Sequence, residues 1–337
     1  MTKRPSPPSA HDVARVAGVS QAAVSRAFTP GASIAKDTQD KVFRAAKSLG
    51  YRPNLHARSL IKGESGIVGV VMGTPRNPLF MSALDMLSAH LSRAGKHILI
   101  FTGEDSPNAD VHVQELLRYR VDALLLMATN LSPQLAEQCR DEGVPVIAFH
   151  RPPRKTEYFA SVSANNREGA QQIAAHLLEQ GYQRLAYMAG RAESLTSRER
   201  ESAFTEHLVS QGLPAPVCEV GHFQRDGALN AARKLLSRKP RPDAIFCAND
   251  YMALATIEVA RFEFGIEIGR QIGVAGFDDV EEAAWPSYDL TTYWMPVQTM
   301  VEKIVSLLTT KPSSKHPAHT IVDGVLKPRR STQRTRR

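Results

Sequence analysis

Beyond residue 64 the chain alternates between two hydrophobic patterns. Short runs rich in β-branched and aliphatic residues fall at 66–72, 97–102, 122–127, 145–149, 160–163, 184–189, 217–222, 243–247, 272–276, 290–294 and 320–326. Amphipathic stretches at helical spacing lie between them, at 80–94, 111–119, 132–142, 166–180, 198–211, 226–237, 250–264 and 297–309. Apolar runs separated by helices predict parallel strands covered on both faces and joined by βαβ crossovers. Eleven such runs exceed one comfortable sheet, so two α/β lobes are expected.

The first 63 residues are patterned differently. Val13, Ala14, Val16 and Ala17 put small apolar groups at helical spacing ahead of Gly18, which tolerates the positive φ of a helix stop. Ser20 can cap a second helix, whose Val24 and Phe28 face inward while Gln21, Ala22, Ser25 and Arg26 face outward. A third helix from about 38 to 49 supplies Val42, Ala45, Ala46 and Leu49 to close a small core. Two short helices around a Gly-containing turn, the second with a polar outer face, form a helix-turn-helix that fits a major groove.

Charge sharpens that picture. Residues 1–63 hold eleven Lys and Arg against three acidic residues, a net +8 that equals the net charge of all 337 residues. The segment 327–337 adds six more basic side chains and no acid, so the body between is acidic. A basic module on an acidic body implies a localised phosphate-binding face and double-stranded DNA as partner. With 42% hydrophobic and 23% charged residues the composition is that of a globular protein. Because no apolar run approaches a membrane span and the first residues lack a signal-peptide core, a cytoplasmic location without a membrane partner is expected. Cys139, Cys218 and Cys247 have neither metal nor redox spacing and read as buried thiols in a reducing compartment.

Residues 10–63 resemble the head and hinge of the lactose-repressor/galactose-repressor (LacI/GalR) family, through Asp12-Val13-Ala14, Ala17-Gly18-Val19-Ser20, Val24-Ser25-Arg26, Tyr51-Arg52-Pro53-Asn54 and Ala57-Arg58-Ser59-Leu60. The resemblance implies that Gln21, Ala22 and Arg26 face bases and that His11, Ser20 and Ser25 sit near phosphates. It also implies a hinge helix at 54–61, formed on operator DNA, with Asn54, Ala57 and Leu60 at the minor groove and Leu60 as a wedge between base pairs. Ala22 departs from the long base-reading side chain of several relatives, so it offers only space or a thymine-methyl contact.

The resemblance extends the fold class to an all-α helix-turn-helix head on a periplasmic-binding-protein-like body of two parallel-sheet lobes. The expected divisions are a head at 9–53, a hinge at 54–63 and a body at 64–330, with flexible tails at 1–8 and 331–337. Lobe one would span 64–162 and 294–317, and lobe two 163–292 and 318–330. Ligands of such folds sit at the carboxyl ends of strands. Six strand ends deliver Phe80, His150, Arg200, Phe223, Asn249 and Asp278 toward one crevice. A guanidinium, an amide and a carboxylate beside two phenyl faces suit a sugar or sugar acid as effector. Each also has an ordinary structural role to weigh: Asn249 and Asp278 as helix caps, Arg200 in a surface pair with Glu201 or Glu206, the two Phe as core.

No Gly-rich phosphate loop with its Lys, Gly-x-Ser-x-Gly elbow or His-Glu-x-x-His is present, so no catalytic residue, metal or cofactor is assigned. His316-Pro-Ala-His319 reads as a loop. The reading is a non-enzymatic, ligand-responsive repressor that binds a near-palindromic operator as a homodimer. A leucine heptad that could drive higher assembly is lacking in 327–337. Two alternatives stand: a regulator that uses a purine-like corepressor, and a solute-binding protein without a DNA role, which the basic head opposes.

Overall fold

The computed structural model describes residues 8–29, 31–52, 64–73, 76–103, 109–152, 159–310 and 318–334. It forms two compact units, Met1–Ser65 and Gly66–Arg337.

The smaller unit is three helices, α1 (Ala10–Ala17), α2 (Gln21–Ala27) and α3 (Lys36–Leu49). Ser9 and Asp12 close a capping box ahead of α1, and Gly18 ends it at φ 68°, which carries the chain directly into α2. Ser20 caps α2 by accepting the Ala23 N–H at 3.2 Å. Val13, Ala14, Val24, Ala27, Val42, Ala45 and Ala46 form the core. Val16 corrects the apolar stripe expected on α1, for it is 53% exposed. It lies three residues beyond Val13 on a helix of only eight, just past the edge of the buried face. The three residues assigned to the hinge contacts, Asn54, Ala57 and Leu60, lie outside the described residues, as does the whole expected hinge 54–63.

The larger unit has two six-stranded sheets, as the alternating pattern predicts. The first contains β1 (Ile67–Met72), β2 (His97–Thr102), β3 (Ala123–Met127), β4 (Val146–Phe149), β5 (Ala160–Ala164) and β11 (His319–Val322), in the order β11-β5-β4-β3-β1-β2. Its strands all run parallel. The second contains β6 (Leu185–Ala189), β7 (Val217–Val220), β8 (Ala244–Cys247), β9 (Gly273–Asp278), β10 (Thr291–Trp294) and β12 (Val325–Lys327), in the order β12-β10-β9-β8-β6-β7. Of these strands only β12 is antiparallel. The intervening helices are α4 (Pro78–Arg93), α5 (Asp110–Arg118), α6 (Pro133–Asp141), α7 (Asn166–Glu179), α8 (Leu195–Ser210), α9 (Arg225–Leu236), α10 (Asp250–Glu258) and α11 (Val297–Thr309). Central strands such as β3 and β8 are buried along their whole length, which is why they read as unbroken apolar runs.

Several sequence expectations change. The run 320–326 is two strands: β11 joins β5 in the first sheet and β12 joins β10 in the second. The third passage between sheets therefore lies at Asp323-Gly324 rather than before residue 318, because Gly324 lets the chain pass close over Trp294 and Tyr293. Residues 331–334, placed in a flexible tail for want of apolar periodicity, are docked through polar atoms instead. Ser331 Oγ donates to the Val274 carbonyl at 2.6 Å, and Thr332 Oγ1 lies 2.7 Å from His176 Nε2. Arg329 and Arg330 pair with Asp279 and Asp289, so part of the basic C-terminal run is spent inside its own lobe. Cys139 and Cys247 are buried, but Cys218 is exposed on the edge strand β7, and His319 lies in β11 rather than in a loop.

Candidate functional site

In the smaller unit His11, Ser20, Gln21, Ala22, Ser25 and Arg26 are all exposed. They project from the ends and outer face of α1 and α2, opposite the Val13–Val24–Val42 core. A helix whose first turn is free and whose N-cap hydroxyl sits at the surface can approach a phosphate and place the next residues against base edges.

In the larger unit the carboxyl ends of both sheets face one cleft, lined by all six residues that the strand-end argument selects. Four helices begin at it, with N-caps Asn77 (α4), Ser194 (α8), Gln224 (α9) and Asn249 (α10). Their N-terminal N–H groups make the cleft favourable to oxygen-rich ligands.

Arg200 forms the floor and has no solvent exposure. Its Nε donates to Asn166 Oδ1 at 3.0 Å, one terminal nitrogen donates to the Ala248 carbonyl, and the other lies 2.9 Å from His150 Nε2. The guanidinium carbon stands 3.5 Å from the centroid of the Phe277 ring, and Asp278 Oδ1 is 3.9 Å from Nη1. The surface pairing considered for Arg200 does not occur, since Glu206 pairs with Arg167 instead. An arginine so placed braces the wall rather than offering a free fork.

That brace fixes the tautomer of His150. Arginine only donates, so His150 Nε2 accepts and the proton resides on Nδ1. Burial, reinforced by the Arg200 charge, pushes the imidazole pKa well below its usual value, so the ring is neutral. Nδ1 is buried without a hydrogen-bond partner and is a donor at the cleft.

Asp278 is the complementary acceptor. Its Oδ2 accepts from Asn77 Nδ2 at 3.0 Å, whereas Oδ1 is buried with no hydrogen bond. Burial raises its pKa to about 6 against the opposing pull of Arg200 and Asn77. Beneath it Asp250, raised by burial and by the Asp278 charge to about 8, accepts from Thr292 Oγ1 at 2.6 Å and from the Val280 N–H at 3.0 Å. Asp278 is no helix cap. Asn249 is one: its Oδ1 accepts the Met252 N–H at 3.0 Å, which leaves the NH2 as the group it can offer a ligand. Phe80 packs edge-on against Phe149, with ring centroids 6.2 Å apart, and Phe223 lies over Gly190, where a side chain would collide with the ring.

Sequence reasoning missed the residues that tie the walls together. Asn77 reaches from the first sheet to Asp278 in the second, Thr196 Oγ1 donates to the His150 carbonyl at 3.2 Å, and Arg191 donates to the Ala128 carbonyl at 3.2 Å. Asn166 positions Arg200 and carries no motif. Only Asn77 had a readable signal, as a polar residue ahead of Pro at a helix start.

A helix-turn-helix unit and a two-lobed α/β unit with a polar cleft together define a ligand-responsive DNA-binding regulator. Residues 9–54 match the family model described as bacterial regulatory proteins, lacI family, and residues 174–332 match the periplasmic binding protein-like domain. The chain is 27% identical to the transcriptional repressor PurR of Photobacterium profundum, over 90% of this chain and 92% of that one. It is 29% identical to the transcriptional regulator AscG of Escherichia coli, over 88% and 90%. A solved complex of the transcriptional regulator CelR with cellobiose shares 27% identity and a TM-score of 0.70, covering 96% of this chain and 99% of that one. The chain belongs to the LacI family of transcriptional regulators, which are not enzymes. Among the described residues no helix is long and apolar enough to cross a membrane, and no acidic, His or Cys group could hold a metal.

Proposed function

We propose that the chain is a homodimeric repressor of the cytoplasm, binding a near-palindromic operator through its helix-turn-helix heads and controlled by a sugar or sugar acid in the cleft. The observation that carries the effector class is the opposed pair of unsatisfied buried groups, the His150 Nδ1–H donor and the Asp278 Oδ1 acceptor, beside the phenyl rings of Phe80 and Phe223. Vicinal hydroxyls donate and accept at once, which matches that pair, and the apolar face of a pyranose packs on aromatic rings. The CelR relative, solved with cellobiose, supports the same class. The repressor reading draws on the PurR relatives, which are named repressors.

Dimerisation is supported by apolar surface on both lobes. Met81 and Ile100 flank a groove with Leu84 and Ile98 on the first, and Phe262 is 84% exposed on the second. A purine-like corepressor is the second reading, favoured by the same two aromatic rings, on which a planar base could stack.

A thermal-shift screen of the full chain against sugars, sugar acids and purines separates these readings. A sugar-class hit that weakens at least tenfold in Asp278→Asn supports the first; a purine hit with silent sugars discards it. Sedimentation at the concentration that binds DNA should give a dimer, and a monomer there would remove the two-fold operator model.

A further inference from the structure

The polar lining of the cleft is unbalanced. One acceptor on its lining, Asp278 Oδ1, and the donors His150 Nδ1 and Arg191 Nε are buried without a hydrogen bond, and another guanidinium, that of Arg151, also lines the cleft. The His150 and Arg191 donors belong to residues held at adjacent strand ends. Met127 pairs with Phe149 across the β3–β4 ladder, so Ala128 and His150 follow at adjacent strand ends, about one strand spacing of ~4.8 Å apart. Arg191 is anchored beside them through its bond to the Ala128 carbonyl.

The charge at that point is only loosely paired. The acid paired with Arg191 is Glu193, whose Oε1 lies 3.8 Å from Nε, beyond hydrogen-bond length, on a side chain 47% exposed. Asp278 faces Arg200, and Asp250 is committed to Thr292 and Val280. His150 is neutral and adds a donor without charge. A ligand filling the cleft would bury Arg191 further, and an uncharged one would leave its charge desolvated with only the loose Glu193 pair and the Ala128 carbonyl as partners.

We propose that the effector is anionic, a sugar bearing a carboxylate or phosphate group whose oxygens are taken by Arg191 and His150 while its hydroxyls meet Asp278 and Asn249. The proposal rests on the sugar reading of the cleft and narrows it. Arg191 acts as the specificity residue, because a guanidinium Nε–H and a neighbouring imidazole N–H can both reach one anionic group.

Calorimetric titration of the full chain tests this with matched probes: D-glucose, D-galactose and D-mannose, their aldonates and uronates, and their 6-phosphates. At least one acidic probe should bind ten or more times tighter than its neutral parent, and whether carboxylates or phosphates do so identifies the group. Arg191→Gln should abolish that preference while Arg191→Lys keeps part of it, with circular dichroism confirming the fold of both. Equal affinity for neutral and acidic members, a preference that survives in Arg191→Gln, or no binding of any acidic probe at millimolar concentration overturns the proposal. In the first two outcomes the sugar reading stands and only the anion subsite falls; binding of adenine or hypoxanthine with every sugar silent removes both.

Discussion

Asp250, Asp278 and Arg200 lie at or below 2% exposure, with both carboxyl groups close enough to one guanidinium to interact with its charge. Such a cluster survives because each member is hydrogen-bonded and because the acids hold protons above the ordinary carboxylate range. The sign of the linkage follows. The folded state retains a proton at Asp250 that the unfolded chain has released, so stability declines as pH rises from the usual carboxylate value toward about 8 and then levels off. Asparagine can donate to Thr292 and accept from Val280 without ionising. Asp250→Asn should therefore raise the melting temperature by an increment that grows between pH 5 and pH 8 and is flat above; a pH-independent increment would show that Asp250 is ionised throughout. On the head, exposed Arg26 and exposed Lys47 should separate two kinds of DNA contact. Arg26→Ala is expected to cost about 1–3 kcal/mol and to relax preference at one base position, whereas Lys47→Ala weakens all duplexes alike and lowers the salt slope by about 1. Anisotropy titrations on half-site variants at two salt concentrations check this, and identical behaviour of the two variants would sink the base-reading role of Arg26.

Elements declared themselves in the sequence to the extent that apolar periodicity created them. Strand cores such as Ala123–Met127 and the Gly18 turn were legible because burial and a positive φ leave unambiguous residue choices. Strand ends were legible as site candidates for a related reason: parallel sheets present their carboxyl ends to ligands whatever the sequence. Polar contacts between distant segments left no such trace. Asn77 and Asp278 are 201 residues apart, and the docking of 331–334 runs through hydroxyls that any surface tail could carry. The division of 320–326 into two strands was hidden because β11 and β12 are both half-buried and differ only in which sheet they join. Gly324 is the residue that makes the division possible: a Cβ there would stand 2.1 Å from the Trp294 carbonyl oxygen. Gly324→Ala should destabilise the body by about 2 kcal/mol or more through forced displacement of that passage, read as a lower urea midpoint at unchanged slope. An unchanged midpoint would mean that the passage adjusts freely.

For the two-lobed unit as a whole, the central quantity is the free energy between lobe arrangements, since an effector can switch only what it binds unequally. Four side-chain hydrogen bonds cross the cleft without a ligand: Asn77 to Asp278, Thr196 to the His150 carbonyl, Arg191 to the Ala128 carbonyl, and Arg200 with His150. All four involve a residue that would also meet an effector, through a different atom of the same residue, so ligand binding and closure act on the same side chains. Asn77 and Thr196 hold the closed form through contacts that can be deleted without removing Arg191 or His150. Each such bond contributes roughly 0.5–1.5 kcal/mol net. Deleting both in Asn77→Ala/Thr196→Val should shift the open-to-closed ratio by about tenfold or more. Spin labels at the exposed Glu137 and Glu267, one per lobe, in a Cys218→Ser background would report this as a broadened distance distribution with a longer mean. A distribution unchanged from the parent would show that packing at the three chain crossings, and not the cleft, sets the lobe angle. If the distribution broadens and an effector then restores it, closure and ligand draw on one equilibrium, which is what a cleft must do to govern anything outside itself.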